Sequence, residues 1–519
     1  MSNRAAGWLP CLREGFGVMG EVVLYFRADW RLKMVLFLCG IAFLVAGYFT
    51  YGRVIERLLG PDERATPALT QRDGVDYLPL PMWKNTLIQL LNIAGVGPVI
   101  GVIIGIKFGV KCFWIIPLGC VFGGAVHDFV SGFMSLRHGG ANLPALTGVA
   151  LGKWYAQAYT VFVMVLLLLV VAVFVTVPAH LVEGVVPGGG AAVFWGATGA
   201  IFLYYIVATL FPVDKIIGRI YPVFGGILLV GSLAMLASLV WHGLGDGALL
   251  TETAAFQAGM FRDQPVVPCL FVTIACGIIS GFHATQSPIV ARTMRSEREA
   301  RGTYYGMMIA EGVIAMVWAA AGLAIYNLVP ELMAKPATAA LVASTRHFLG
   351  SWMGTVTVVS VIVLAITSGD TALRSLRLTL AETLRVGQRR FVARLGLCLP
   401  LIAATAGLLW WSTQSAATFE WLWKYFAWGN QILSASTLMV CTVWLMRRGV
   451  APWFTLLPGM FMTFVVSSFI LWSATTHPGC PYGLNLPLNV AYAIAGVFTF
   501  FCAVTVVHLG ANGKPADAQ

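Results

Sequence analysis

Two short stretches of this chain hold the residues best suited to binding chemistry. The first reads Asn92-Ile93-Ala94-Gly95-Val96-Gly97-Pro98-Val99-Ile100-Gly101, and the second runs from Cys276 through Gly277, Ser280, Gly281, His283, Gln286 and Ser287 to Pro288. Both lie inside long apolar runs. Glycine and proline at this density unwind a helix. Backbone unwound at membrane depth is tolerated only where it lines a cavity or is buried in protein. Its freed carbonyl and amide groups can then hold a polar solute or an ion. This makes Asn92, Gly95, Gly97 and Pro98 in the first stretch, and Gly277, Ser280, Gly281, His283 and Gln286 in the second, the candidate substrate-binding residues. Glycines alone could serve close helix packing, but that reading leaves Pro98, His283, Gln286 and the matched positions of the two breaks unexplained.

Ionisable groups inside apolar runs are costly and therefore functional candidates. His127 and Asp128 form a candidate proton relay; Asp128 could instead pair with Arg137 or cap unwound backbone. His283 could meet a substrate carboxylate, titrate or pack as a hydrogen-bonded histidine. Thr367, Ser368, Asp370 and Thr371 supply oxygens suited to a hard coupling cation. Asp370 could alternatively carry a proton, or bridge to Arg374 one helical turn on. Glu311 and Lys424 read as structural.

The elements that must position these groups follow from composition. Of 519 residues, 58% are hydrophobic and 11% charged, with a mean hydropathy of +0.82. Soluble proteins carry about 25% charged residues, so a bilayer must cover much of this surface. The net charge of +11 does not indicate nucleic acid, because the basic residues sit in clusters between apolar runs rather than on one face. The ten cysteines form no Cys-x-x-Cys pair and lie mostly in apolar runs, where a thiol acts as a small hydrophobe; no metal site is expected.

Thirteen runs have the length of a membrane span, near 34–52, 85–106, 113–135, 156–180, 191–212, 220–241, 266–293, 304–328, 353–381, 392–411, 420–446, 453–474 and 488–509. Arg292, Arg295, Arg298 and Arg301 follow the seventh, Arg385, Arg389 and Arg390 the ninth, and Arg447 and Arg448 the eleventh. The connections at 181–190, 412–419 and 475–487 lack Lys and Arg. This alternation places the basic loops, and the C-terminus, in the cytoplasm. Residues 1–33 are a basic extension that fits poorly, either interfacial or an artefact of the assigned start. The two interrupted spans are five apart and run in opposite directions, the pattern of an inverted 5+5 repeat. The expected organisation is therefore a first span and cytoplasmic loop at 34–84, a ten-helix core at 85–446, and two added helices with a short tail at 447–519.

Nothing resembles a phosphate loop, a nucleophile elbow or a His-Glu-x-x-His motif, so no enzyme and no cofactor are expected. Gly95-Val96-Gly97-Pro98, Gly124-Ala125-Val126-His127-Asp128-Phe129, Thr273-Ile274-Ala275-Cys276-Gly277, Ser280 to Pro288 and Thr367-Ser368-Gly369-Asp370-Thr371-Ala372 resemble motifs of the carbon starvation protein A family. Arg64-Ala65-Thr66-Pro67-Ala68 with Asp73-Gly74-Val75-Asp76-Tyr77 does so too. The resemblance runs from about residue 40 to residue 500. It implies a transporter of the amino acid–polyamine–organocation superfamily with the leucine-transporter fold, and links the chain to uptake of peptides or pyruvate. There are departures. Longer members carry paired histidines where Ile88-Gln89 stands, and Gln where His127 stands; a shorter branch carries Ser-Leu-Pro-Glu where this chain reads Asn142-Leu143-Pro144-Ala145. The resulting expectation is an all-α inner-membrane symporter driven by H⁺ or Na⁺, binding a small molecule and no nucleic acid. A membrane-embedded metabolite sensor and an amino-acid transporter of the same fold remain the alternatives.

Overall fold

The computed structural model describes residues 34–186, 188–211, 217–245, 249–477 and 482–513; at 217–222, 416, 417, 419 and 420 it describes the backbone alone. The extension at 1–33 lies outside the described residues. Every regular element among those described is helical, as lipid demands of a chain whose backbone groups can find no water.

Helix α1, Met34–Leu59, is followed by α2, Met82–Ile93, and α3, Gly97–Phe108, which meet at a bend of 53°. Then come α4, Cys112–Arg137; α5, Lys153–Val185; α6, Ala191–Leu210; and α7, Val223–Gly245. A segment of short turns from Val266 to Ile278 leads into α8, Gly281–Ala291. The chain continues through α9, Glu297–Leu328; α10, Ala337–Leu384; α11, Phe391–Ser412; α12, Ala416–Arg447; α13, Trp453–Trp472; and α14, Leu488–Ala511.

Ten described helices are long and apolar enough to cross a bilayer, or eleven with the bent α2–α3 pair counted as one. Two of the thirteen expected spans differ. The run at 266–293 breaks into pieces too short to cross alone, because Pro268, Gly277 and Gly281 interrupt it. The run at 420–446 forms a long helix, α12, whose middle carries Asn430, Gln431, Ser434 and Thr437, all buried. Helix α10 is also divided, at Gly350, whose φ of 72° and ψ of −179° no L side chain adopts easily.

Burial sorts the helices. α9 is almost wholly enclosed, and its Ala319-Ala320-Ala321-Gly322 run lets α3 approach closely: a Cβ on Gly322 would sit 3.4 Å from the Cα of Ile103. Small residues are what permit such contact in lipid. α14 instead turns Val497, Phe498, Phe500 and Phe501 outward, as a lipid-facing helix should. Thus α2, α3, α4, α8, α9 and α10 form the interior, and α1, α6, α7 and α14 lie towards its periphery.

Candidate functional site

The two breaks meet. At the first, α2 stops at Ile93 and Ala94 takes φ −73° and ψ 66° before Pro98 starts the next turn. At the second, Ile279 and Ser280 are extended, with φ −166° and −133°. A Cβ on Gly97 would fall 2.1 Å from the Cβ of Cys276, and Gly277 lies against Pro98 and Val102. Gly281 packs equally tightly on α12, where an added Cβ would be 2.3 Å from the amide of Ser434. The glycines therefore do serve close packing, and this packing is what brings the two unwound segments together.

Beside the first break, the side-chain amides of Gln89 and Asn92 are fully buried, and none of their four polar atoms has a hydrogen-bond partner. A buried amide left unpaired costs about 1–3 kcal/mol. Two of them side by side on one helix mark a place where a polar ligand can repay the loss. The second break is differently arranged. Asn430 of α12 accepts from the amide of Phe282 at 2.7 Å and bonds the Ser280 hydroxyl at 3.0 and 3.2 Å. Ser280 is thus partnered within the protein. Gln286 lies nearly two turns further along α8, donating to the Thr285 hydroxyl at 2.9 Å, while Ser375 of α10 donates to the Thr285 carbonyl at 2.8 Å.

His283 joins a buried chain of four ionisable groups. Asp128 of α4 receives the His127 Nδ1 at 2.8 Å and the His283 Nδ1 at 2.9 Å, and the His283 Nε2 stands 3.6 Å from Glu311 Oε2 on α9. All four side chains are buried to within 1%. The expected alternative pairing of Asp128 with Arg137 does not occur. Arg137 bonds instead Glu297 at the start of α9 and Asp62 in the loop after α1, because it lies at the last turn of α4 while Asp128 lies near the middle of the span.

On α10, Thr367 and Ser368 both donate to the Leu91 carbonyl, at 2.9 and 3.3 Å. They face α2 just before its break. Thr371 turns back to its own helix, donating to the carbonyls of Thr367 and Ser368. Asp370 points the other way and accepts from the Tyr204 hydroxyl of α6 at 2.7 Å. The expected Asp370–Arg374 bridge is replaced: Arg374 binds Asp76 at 2.9 Å. The four residues therefore do not converge on one point. Position 370 lies at the edge of the face that carries 367 and 371, and its carboxylate is drawn to the Tyr204 hydroxyl on α6.

A profile of the family described as Carbon starvation protein CstA matches residues 32–216, 197–347 and 333–468. The chain belongs to that family. It is 44% identical over 344 residues to an uncharacterized membrane protein of Haemophilus influenzae, covering 57% of this chain and 92% of that one. It is 27% identical over 324 residues to the pyruvate/proton symporter BtsT of Escherichia coli, covering 49% and 43%, and 26% identical over 345 residues to the peptide transporter CstA of Campylobacter jejuni, covering 54% and 49%. The matches thus span about half the length of those named transporters, which are not enzymes. Among solved structures, MhsT in complex with L-phenylalanine superposes with a TM-score of 0.54 at 10% identity, over 83% of this chain and 99% of that one. A Na⁺-coupled sialic acid symporter superposes with a TM-score of 0.51 at 13% identity, over 92% and 97%. These likenesses establish the leucine-transporter fold.

Three site features escape the sequence reading. Gln89 entered it only as a departure from family pattern, and Glu311 as structural. Asn430 carried no signal beyond being a polar residue in an apolar run. The loop at 60–81 is the fourth region of interest. Asp76 is buried in it between Arg374 and Arg377 of α10, at 2.9 and 3.3 Å. Burial pushes the Asp76 carboxyl up, but the guanidiniums of Arg377, Arg374 and Arg292 outweigh it and hold it at about 2. Nearby, Arg292, just past the end of α8, pairs with Glu382 of α10 at 2.6 Å, and Thr66 donates to the Met294 carbonyl. The family-like segments of this loop thus pin the basic ends of α8 and α10 together.

Proposed function

We propose that this chain is a secondary transporter of the inner membrane, with its C-terminus in the cytoplasm. It carries a small organic nutrient, a short peptide or pyruvate, by alternating access, and is driven by H⁺ or Na⁺. Residues 85–446 act as a ten-helix core of two inverted repeats, and the substrate is held where their broken helices meet. The observation that carries this reading is the pair of orphaned amides, Gln89 and Asn92, buried beside a break that already touches the second break at Gly97 and Cys276. The fold, and relatives named as peptide and pyruvate transporters, support it.

The recognition chemistry is that of neutral donors and acceptors: the two amides, the non-helical backbone at the first break and the Ser280–Asn430 pair. Such a site suits a small carboxylate or a peptide, whose amide and carboxylate groups need both kinds of partner. Alternating access follows from the anatomy. α2 and α8 pack side by side, joined at one end by Thr293 Oγ1 donating to Asn85 Oδ1 at 2.7 Å, so they move as a unit hinged at their two breaks.

Uptake by purified protein in liposomes tests the proposal. Labelled pyruvate, dipeptides or tripeptides should accumulate inside only when a pH or Na⁺ gradient is imposed. Binding without flux under any gradient would make the protein a sensor rather than a carrier.

A further inference from the structure

The chain His127–Asp128–His283–Glu311 has a property that hydrogen-bond bookkeeping exposes. Both imidazoles turn Nδ1 to Asp128. A carboxylate only accepts, so each Nδ1 is the protonated nitrogen. Neutral His283 then carries a lone pair on Nε2, and that lone pair faces Glu311 Oε2 at 3.6 Å. A lone pair against an ionised carboxylate oxygen, between two fully buried side chains, is repulsive on both sides. One proton must lie between them, on the imidazole or on the carboxyl. Glu311 has no hydrogen bond to either oxygen, and the Nε2 atoms of His127 and His283 have none. An ionised carboxylate buried so bare is strongly disfavoured.

The groups facing this pair from each packed helix complete the electrostatics. α4 supplies His127, Asp128 and the Cys120 thiol, which donates to the Met308 carbonyl. α9 supplies Glu311 itself, and Tyr304 on the same span donates to the Ser287 carbonyl. The segment before α8 supplies Cys276, and α2 brings only the neutral Gln89 and Asn92 together with the Ile93 carbonyl, which lies against His283. The described side chains here include no Lys or Arg. With one proton between His283 and Glu311 the cluster carries a single negative charge, and a second proton neutralises it.

We propose that this cluster is the proton-coupling site, and that the driving ion is H⁺ bound at Glu311 and His283 rather than Na⁺ bound at Thr367 and Ser368. The inference rests on the transporter reading above and names its coupling ion. Its logic is positional. His283 rides on α8, one of the two broken helices, whereas Asp128 and Glu311 sit on α4 and α9. Rocking of the broken helices therefore changes the His283–Glu311 separation, and with it the affinity for the proton. A proton enters from outside water onto a Glu311 carboxylate oxygen, His283 Nε2 shares it while the site is closed, and the same proton leaves to the cytoplasm when α8 moves. One H⁺ crosses with each substrate molecule. The Thr367 and Ser368 hydroxyls both spend their protons on the Leu91 carbonyl, and Asp370 is turned to Tyr204.

The test uses liposomes with a pH dye inside, choline in place of Na⁺, and labelled pyruvate and tripeptide as probes. Wild-type protein should accumulate one probe under an inward pH gradient and acidify the lumen as it does so. E311Q mimics the protonated acid. Its accumulation under the same gradient, relative to its substrate exchange without a gradient, should fall at least tenfold, and lumen acidification should vanish. H283Q should do the same. Retained pH-driven accumulation in both variants overturns the proposal, as does wild-type accumulation that needs Na⁺ and moves no protons. If E311Q does not assemble, the wild-type proton signal and H283Q still decide. Absence of any wild-type exchange would instead refute the transporter reading, so the two failures are distinguishable.

Discussion

Two buried polar regions of this molecule are satisfied to opposite degrees. Where the loop after α1 meets α8, α9 and α10, three carboxylates have guanidinium partners: Asp76 lies between Arg374 and Arg377, Glu297 against Arg137, and Glu382 against Arg292. At the centre, Glu311 is without hydrogen bonds, and the amides of Gln89 and Asn92 are too. Saturated pairs hold helices in one arrangement, because parting them exposes charges that have no other partner. Unsaturated groups do the reverse, since they gain most from something that arrives. The difference teaches that the saturated network ties α8, α9 and α10 to the loop after α1, and that the central groups are the ones with most to gain from the substrate and ion of the proposed cycle.

Breaking the saturated side should have the largest effect on stability. Asp76→Asn strands two buried guanidiniums and should cost about 3–5 kcal/mol, visible as a lower Tm of the purified protein in detergent. Adding Arg377→Met should recover part of the loss. An unchanged Tm would mean the network is not the lock described here. Next comes Asn430→Ala, which leaves the Phe282 amide and the Ser280 hydroxyl without their bonds. It should cost about 1–3 kcal/mol and weaken transport through misplaced α8, again read by Tm beside uptake.

Acid offers a gentler way to sharpen the same contrast. The Asp76 carboxyl is held at about 2, below the roughly 3.9 of a free aspartate. A depressed value means its stabilisation is complete above pH ~4 and is lost as pH falls towards 2. The Tm should therefore lose part of its value over that window in the wild type but not in Asp76→Asn. The smallest effect belongs to Ser368→Ala. It removes one of two donors to the Leu91 carbonyl, and Thr367 keeps the other, so roughly 0.5–1.5 kcal/mol is at stake. Uptake should persist; its abolition would return the coupling site to α10.

These regions were not equally legible in the sequence. Both breaks could be read, because glycine and proline disrupt a helix wherever they stand, and their adjacency follows from matched positions. The leucine-transporter fold followed from the same pattern. The Asp128–His283 pair could not be read: its members are 155 positions apart, and only the packing of α4 on α8 joins them. Asp76 stood in a family-like motif, but its partner Arg374 is 298 positions away. Asn430 looked like any polar residue in an apolar helix until α12 was placed beside Gly281. Local chemistry shows in one stretch of sequence; a partner on another helix does not.

The central claim is that substrate sits beside the first break, on the amides of Gln89 and Asn92. Binding of labelled pyruvate and tripeptide to purified wild type, Gln89→Ala and Asn92→Ala tests it most directly, with Tm as the check on folding. Each variant should bind its substrate about tenfold more weakly, the value of roughly one buried hydrogen bond, while its Tm stays level or rises because an orphaned amide is gone. Unchanged affinity in both well-folded variants would contradict the account and place the substrate elsewhere.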